Sequence, residues 1–342
     1  MLRFTVLCVF LFSVAFAFAQ DFDELENRMN DLRNAGRYEQ AAMVVMDWMN
    51  QYGENDMLHY NAACMYALAG NADEAFHHLL RAVALGWLDA QSMRDDDDLT
   101  CLHADIRWPE LIAYTERNLA ALQNALPDRR ELTDTITLPE PRHTSSTSVE
   151  EAMQRRRSIR SYGNQALTLA EVGQVLWAAY GVTQPLAGAS LRGGLKTTPS
   201  AGATYPLEVY LAAWRVEGLQ PGIYLYRPQG HCLQPIRMGD YHNELTSACY
   251  WQPYAGGAPA ALIYSAVFSR TTDVYDERGR ERYVPMDLGH SAQNVYLQAE
   301  ALGLGTVAIG AFDDMRLKLF THMTKEEEPL YVMPLGKKPA DE

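Results

Sequence analysis

The chain is short of positive charge: 29 Lys and Arg stand against 43 Asp and Glu, a formal net charge of −14. Nucleic-acid binding depends on clustered basic side chains that displace counterions from phosphates, so that class of partner is excluded. The triplet Arg155 to Arg157 is too short to change this. Cysteine is scarce as well, with 5 in 342 residues. Cys8 sits in the N-terminal apolar run without a small-residue lipobox before it, which excludes a lipoprotein. That leaves Cys64, Cys101, Cys232 and Cys249, an even number whose pairing cannot be deduced from spacing; Cys64 on an apolar helix side and Cys232 in an expected strand read as free thiols. No apolar run beyond the first 20 residues could span a bilayer. Metal sites are also missing. His77 and His78 point in different directions on a helix and have no third ligand, and Asp95 to Asp98 lacks the alternating ligands and glycine of a calcium loop. Both read as solvated.

What is present is the composition of a globular protein, 48% hydrophobic and 21% charged, over a length that suggests two domains. Residues 1–19 read as a secretory signal: Arg3, an apolar run from Phe4 to Phe16, then Ala17-Phe18-Ala19 as a cleavage site before Gln20. There is no twin arginine, so export precedes folding and any cofactor is acquired outside the cytoplasm. The expected location is periplasmic or secreted.

A helical domain is expected over 20–124. Ala35-Gly36-Arg37-Tyr38-Glu39-Gln40-Ala41 recurs as Ala69-Gly70-Asn71-Ala72-Asp73-Glu74-Ala75, with Gly36 and Gly70 34 residues apart. That period resembles the tetratricopeptide repeat, and Ala63, Tyr66, Ala75, Leu79 and Ala82 fall where its pattern wants small residues for close contact and large ones to fill grooves. Tyr60 to Leu68 and Asp73 to Leu85 are then antiparallel helices, and a unit starting at Trp108 caps the stack. The resemblance implies a surface for a peptide or protein partner, or a structural role. Residues 125–147, with Pro127, Pro139, Pro141 and a Thr/Ser cluster, read as a linker to a domain over 148–342.

In that domain Thr168 and Glu171 form a capping box for a helix ending at Gly181, and Leu207 to Trp214, Gly222 to Tyr226 and Ala260 to Phe268 read as strands. Four segments carry its chemistry. They are Arg156-Arg157-Ser158-Ile159-Arg160; Thr198-Pro199-Ser200-Ala201-Gly202-Ala203-Thr204-Tyr205-Pro206-Leu207-Glu208; Gly303-Leu304-Gly305-Thr306-Val307-Ala308-Ile309-Gly310-Ala311-Phe312; and Pro334-Leu335-Gly336-Lys337. In this order they resemble the nitroreductase superfamily of FMN enzymes, and more closely its SagB-type dehydrogenase branch, which includes oxidases of thiazoline and oxazoline rings in modified peptides. The likeness runs from about Leu138 to Lys338. An Asn commonly stands where Ala203 does in the wider superfamily, and Ala203 to Glu208 is similar to the SagB-type version.

The resemblance implies an α+β class: a nitroreductase-like FMN fold, a mixed sheet flanked by helices, behind an all-α array. FMN offers a phosphate at one end and a partly anionic N1–C2=O locus when reduced, so two separated cationic places are needed. By resemblance Arg156 and Ser158, with Arg157 beside them, meet the phosphate or ribityl chain and Arg160 reaches N1 and O2. Pro199, Ser200, Ala201 and Gly202 let backbone approach the ring edge, Gly310 and Ala311 present N–H groups toward N5, and Lys337 matches a basic phosphate contact. Gly303-x-Gly305-x-x-Ala308 is not a dinucleotide fingerprint, because it follows an expected helix, His290 to Leu302, and precedes an expected strand, Thr306 to Ile309. Gly310 stands where some reductive members carry an acidic residue. For proton exchange the candidates are Tyr205, Tyr283 and His290, the last two within Arg282 to His290, which is similar to a SagB-type signature. The resemblance further implies a homodimer, with Ser200 and Ala201 reaching the partner's flavin. The expected activity is an exported FMN-dependent dehydrogenase or oxidase of a small organic or peptide-derived substrate. The alternatives are an NAD(P)H-dependent nitro or quinone reductase, and a partner-binding repeat protein with a vestigial flavin domain.

Overall fold

The computed structural model describes residues 24–128, 134–186 and 192–339. The expected signal, its cleavage site near Ala19 and Cys8 lie outside the described residues. Two compact units divide between Ala125 and Leu126.

The first unit is all helix: α1 (24–34), α2 (Tyr38–Tyr52), α3 (Asp56–Leu68), α4 (Ala72–Ala84), α5 (Ala90–Asp95) and α6 (Trp108–Ala125), with a 3₁₀ turn over Asp97–Leu102. Its 34-residue period is visible in the backbone. Gly36 and Gly70 adopt φ of +68° and +77°, and behind them Arg37 N–H donates to Leu32 C=O as Asn71 N–H does to Tyr66 C=O. These are Schellman turns, in which a left-handed glycine lets the next amide close the helix end. Helix α3 starts at Asp56, earlier than the apolar pattern suggests, because the Asn55 side chain accepts from Leu58 N–H. Ala62, Ala63, Ala75, Leu79 and Ala82 are fully buried where α3 and α4 meet.

Two expectations of solvated side chains fail here. His78 is buried, its Nδ1 2.8 Å from Nδ1 of buried His59, while its neighbour His77 is exposed. Adjacent helical positions face different ways, so one faces α3 and the other water. Asp96 accepts from the Tyr60 hydroxyl at 2.9 Å and the Cys64 thiol at 3.5 Å and caps the 3₁₀ turn, while Asp98 pairs with Arg33 at 2.5 Å. The acidic run is thus partly inside. Cys64, Asp96 and Asp98 lie close enough to share a metal ion, but Arg33 already supplies a cation there.

The second unit is built on a sheet of β1 (Ile136–Thr137), β2 (Leu207–Ala213), β3 (Gly222–Arg227), β4 (Cys232–Met238), β5 (Ala260–Val267), β6 (Leu304–Thr306) and β7 (Glu327–Lys337). The spatial order is β1-β4-β3-β2-β5-β7-β6, antiparallel at each pairing. A parallel bridge between Ser158 and Thr306 at the β6 edge makes it mixed. The helices are α7 (Val149–Arg155), α8 (Leu169–Tyr180), α9 (His242–Ala248), α10 (Pro253–Gly257), α11 (Ser269–Tyr275), α12 (Val284–Ala301) and α13 (Asp314–Thr321). Strand alternation decides the layers. Val209, Leu211 and Ala213 of β2 pack with α8 and α12, whereas Tyr210 and Ala212 pack with α9, α10 and α13. The fold is therefore α+β with helices on both faces.

The expected capping box is present, Thr168 and Glu171 bonding reciprocally at the start of α8. Three local expectations shift. Helix α12 begins at Val284, and Gly303, at φ +69°, turns the chain so that β6 starts at Leu304 paired to Lys337. Residues 134–147, expected as linker, are woven into this unit: β1 pairs with β4, Leu138 is 3% exposed, and the Gln174 amide bonds both N–H and C=O of Arg142. Prolines excluded a helix there but not an edge strand. Cys64, Cys101, Cys232 and Cys249 are all free thiols. Among the described residues no helix is long and apolar enough to cross a membrane.

Candidate active site

The arginine segment becomes an extended run laid against the β6 edge. Arg156 caps α7, Ile159 N–H donates to Thr306 C=O at 2.9 Å, and Gly163 N–H to Lys337 C=O at 2.9 Å. Gly305 lacks a side chain for this reason: a Cβ there would lie 2.7 Å from Ile159 Cγ2. Gly336 makes the same allowance for Tyr162 and Pro259, each at 2.9 Å. The run projects Arg157, Ser158 and Arg160 to solvent, with Arg156 half-buried over the Tyr296 ring at 5.3 Å. Tyr296 Oη lies 3.2 Å from Ser158 Oγ and accepts from Ala308 N–H at 2.9 Å, tying the run to α12. Among the described residues Arg157 bonds the Gln154 and Arg156 carbonyls, and none of Arg156, Arg157 and Arg160 pairs with a carboxylate. Three uncompensated guanidinium groups on one short run suit an anionic ligand.

Gly310 and Ala311 follow on the far side of Ile309, which pairs with Val332. Both are exposed, and a Cβ on Gly310 would meet only Tyr331, at 3.7 Å, so the site is open above them. Gln252, which sequence reasoning passed over, anchors this turn. Its Nε2 donates to Ala311 C=O and Cys249 C=O, each at 2.9 Å, and its Oε1 accepts the Tyr254 hydroxyl. Tyr254 in turn lies under the Arg160 guanidinium, 5.9 Å from the ring centroid. One side-chain chain therefore connects Arg160 to the Gly310–Ala311 turn.

The Pro199–Gly202 segment is a turn with Gly202 at φ +58°, where a Cβ would meet the Tyr275 hydroxyl at 2.5 Å. Buried Asp287 of α12 holds the turn, accepting from the Ser200 side chain and Ala201 N–H. Burial raises the Asp287 carboxyl above its usual range, with those two bonds and nearby His290 opposing. Ser200 Oγ also accepts Tyr205 N–H at 2.9 Å, so the hydroxyl is engaged within its own chain. Tyr205 is 3% exposed; its ring packs on Tyr180 and its hydroxyl accepts Lys196 N–H at 3.3 Å. Tyr283 is half-buried, accepting from Arg278 Nε at 2.9 Å, and His290 is exposed. Ser158 meets α12 at Tyr296 and Ser200 meets it at Asp287. Tyr296 and Asp287 are nine residues apart, about 14 Å along the helix axis and on opposite sides of it. Lys337, expected at the phosphate, is ion-paired with Glu171 of the capping box. That pairing competes with a phosphate for the ammonium.

Beside Tyr205 lies a second charged group that spacing did not reveal. Glu208 Oε1 accepts Arg192 NH2 at 2.7 Å and Arg270 NH2 at 2.6 Å, and Lys196 Nζ lies 4.7 Å from the Tyr205 ring centroid. Burial first, then Arg192, pushes the Lys196 ammonium down to about 8. Burial alone would raise Glu208, but Arg270 and Arg192 hold it below the usual carboxylate range. Arg192 and Arg270 stand 16 and 62 positions from Glu208, and no sequence motif links either of them to it.

With this geometry, the Nitroreductase family model matches residues 153–337. The chain belongs to the nitroreductase family. The match leaves the helical unit outside it. Protein MJ1384 of Methanocaldococcus jannaschii, a nitroreductase by name, is 45% identical over 190 residues, 56% of this chain and 91% of that one. The microcin B17-processing protein McbC of Escherichia coli is 31% identical over 144 residues, 40% of this chain, and the chain spans only 53% of McbC. A solved nitroreductase-family structure from Ralstonia eutropha JMP134 is 31% identical, with a TM-score of 0.52 over 63% of this chain and 94% of that one. The protein is thus a nitroreductase-family oxidoreductase with that fold.

Proposed function

We propose that this nitroreductase-family protein is an exported FMN-dependent dehydrogenase or oxidase acting on an organic, peptide-derived substrate. The observation that carries the cofactor is the Arg156–Arg160 run, with three guanidinium groups lacking a carboxylate partner among the described residues, next to the open amides of Gly310 and Ala311. Arg156, Arg157 and Ser158 would hold the phosphate end, Arg160 the N1–O2 edge, and Pro199 to Gly202 the ring edge of the partner subunit's flavin, in a homodimer. Lys337 would join the phosphate contacts by leaving Glu171. FMN supplies a hydride acceptor at N5. The chain's own groups do the rest. Arg160 stabilises negative charge at the ring, the Gln252 anchor holds the Gly310–Ala311 amides in place, and a proton leaves through Tyr283, His290 or Tyr205.

Oxidation is favoured over reduction because export separates the enzyme from soluble NAD(P)H, and McbC is named for processing a product, microcin B17. The helical unit is taken as a tetratricopeptide array over 20–124 that presents a partner, with signal cleavage near Ala19. The name of MJ1384 favours the NAD(P)H-dependent reductase as the second reading. The experiment is anaerobic: oxidised, FMN-loaded enzyme is mixed with candidate peptides or with NADPH, and flavin bleaching is followed. Rapid bleaching by micromolar NADPH restores the reductase, and a colourless chain that cannot be reconstituted with FMN ends both readings. Arg160→Ala should lower the flavin reduction potential, whereas Arg156→Ala should mainly weaken binding. N-terminal sequencing of the periplasmic fraction tests export, and sedimentation of the mature chain tests the dimer.

A further inference from the structure

Around Glu208 three basic side chains share one acidic one. Arg192 and Arg270 both donate to the same Glu208 oxygen, and among the described residues the Lys196 ammonium bonds the Arg192 carbonyl, at 3.1 Å, and no carboxylate. Among the described residues Glu208 is the carboxylate that acts on Lys196 and Arg192, while Arg227 adds a further positive charge. Residues 187–191, which precede Arg192 and lie outside the described residues, carry no acidic side chain, so they bring no counter-charge. The group is only partly solvated: Arg192 and Arg270 side chains are 33% and 22% exposed, and Lys196 is 9% exposed. Crowding a net positive charge into such surroundings is unfavourable unless an anion completes it. In a chain of net charge −14 it is the opposite of the bulk tendency.

The cluster is attached to the Pro199–Gly202 turn, which borders the flavin under the proposed function. Arg270 NH1 donates to Pro206 C=O at 3.3 Å, Lys196 N–H donates to Tyr205 Oη at 3.3 Å, and Tyr205 N–H donates to Ser200 Oγ. We propose that Arg192, Arg270 and Lys196 form a carboxylate-binding site that seats an acidic group of the substrate beside the Pro199–Gly202 turn. Glu208 keeps the two guanidinium groups side by side through one N–H of each on a single oxygen, which leaves Arg192 donors and the remaining Arg270 N–H groups for an incoming carboxylate. Lys196 adds a compact charge behind them. This rests on the reading of a peptide-derived substrate and narrows it to one with a free carboxylate close to the atoms that lose hydride and proton.

The test is binding, kept separate from turnover. Calorimetry on the full mature chain would compare N-acetyl-trialanine as its free acid and as its C-terminal amide, with inorganic phosphate as a competitor. The acid should bind at least about tenfold tighter than the amide at low salt, a preference that shrinks as ionic strength rises. Arg192→Gln and Arg270→Gln should bring acid and amide to within about threefold. Should those variants fail to fold with Glu208 left exposed to one partner, Lys196→Gln leaves the Glu208 bridge intact and should still reduce the preference several-fold. Equal binding of acid and amide, absence of binding by either, or an undiminished preference in Lys196→Gln overturns the site. So does loss of FMN content in Arg192→Gln together with displacement of the peptide by phosphate, which would assign the cluster to the cofactor. Acid that binds but never bleaches the flavin supports the site while counting against substrate oxidation. Acid and amide oxidised with equal kcat/KM do the reverse.

Discussion

Lowering the pH should unfold the helical unit through one buried pair. His59 and His78 meet Nδ1 to Nδ1 at 2.8 Å between α3 and α4, so one proton can bridge them but two would set cation against cation. The groups around them are Glu54, which accepts from His59 Nε2 and pairs with Arg81; Arg81 itself; exposed His77; and Tyr66, whose ring stacks on His78 at 5.4 Å. Burial first, then His59 and His77, pushes His78 down to about 4, and burial lowers His59 against the pull of Glu54. A histidine in the unfolded chain titrates near 6.5. Because the folded value is depressed, the unfolded chain binds the proton more tightly. The pair's contribution is complete above about pH 6.5 and is lost as pH falls through about 4. Titrating at about 4 rather than near 6.5 costs the folded unit on the order of 2 kcal/mol once screening by nearby water is allowed for, a sizeable fraction of a small unit's stability. Urea titrations at pH 7, 5.5 and 4, followed by circular dichroism at 222 nm, would measure it. His78→Phe keeps a ring against Tyr66 but removes the second imidazole, so its stability should vary much less over this window. An unchanged pH slope in His78→Phe would refute the assignment.

The remaining predictions concern the second unit. Glu327 is 3% exposed and accepts from Tyr210 Oη at 2.6 Å, Ser265 Oγ at 2.7 Å and Thr324 N–H at 3.1 Å, so Glu327→Gln turns a donor toward donors. It should lose about 2–4 kcal/mol by chemical denaturation, and a loss below about 0.5 would show that the carboxylate matters little. Gly305→Ala forces Ile159 away from its 2.7 Å approach and should weaken FMN binding about tenfold by displacing Ser158 and Arg160, whereas Gly257→Ala, with nothing within 4 Å, should not. Equal fluorescence titrations for the two variants would contradict this. Gln252→Ala frees the Ala311 carbonyl and the Tyr254 hydroxyl together, and should change the flavin absorbance envelope and lower its reduction potential with little change in melting temperature. An unaltered potential would leave Gln252 a purely structural residue.

Local pattern alone determined the elements that depend on near neighbours. The capping box at Thr168 and Glu171 needs residues three apart, and the glycines at 36 and 70 repeat the same left-handed helix ending. The strands from Leu207, Gly222 and Ala260 could be read because burial on both faces leaves long apolar and aromatic runs. The order of the four segments was enough to point to the family. What lay beyond reach were meetings between distant residues. Nothing near Lys337 in the chain announces Glu171, 166 positions away, and nothing near Ala311 announces Gln252, 59 away. Asp287 stood inside a segment singled out for its Tyr and His, yet only the packing of α12 against the turn makes it the residue that holds Ser200. His78 and the cluster around Glu208 were hidden for the same reason. A polar side chain carries no sign of burial until the element opposite it is in place, and the helix and strand periods that reveal apolar faces are silent about which charge will close over which.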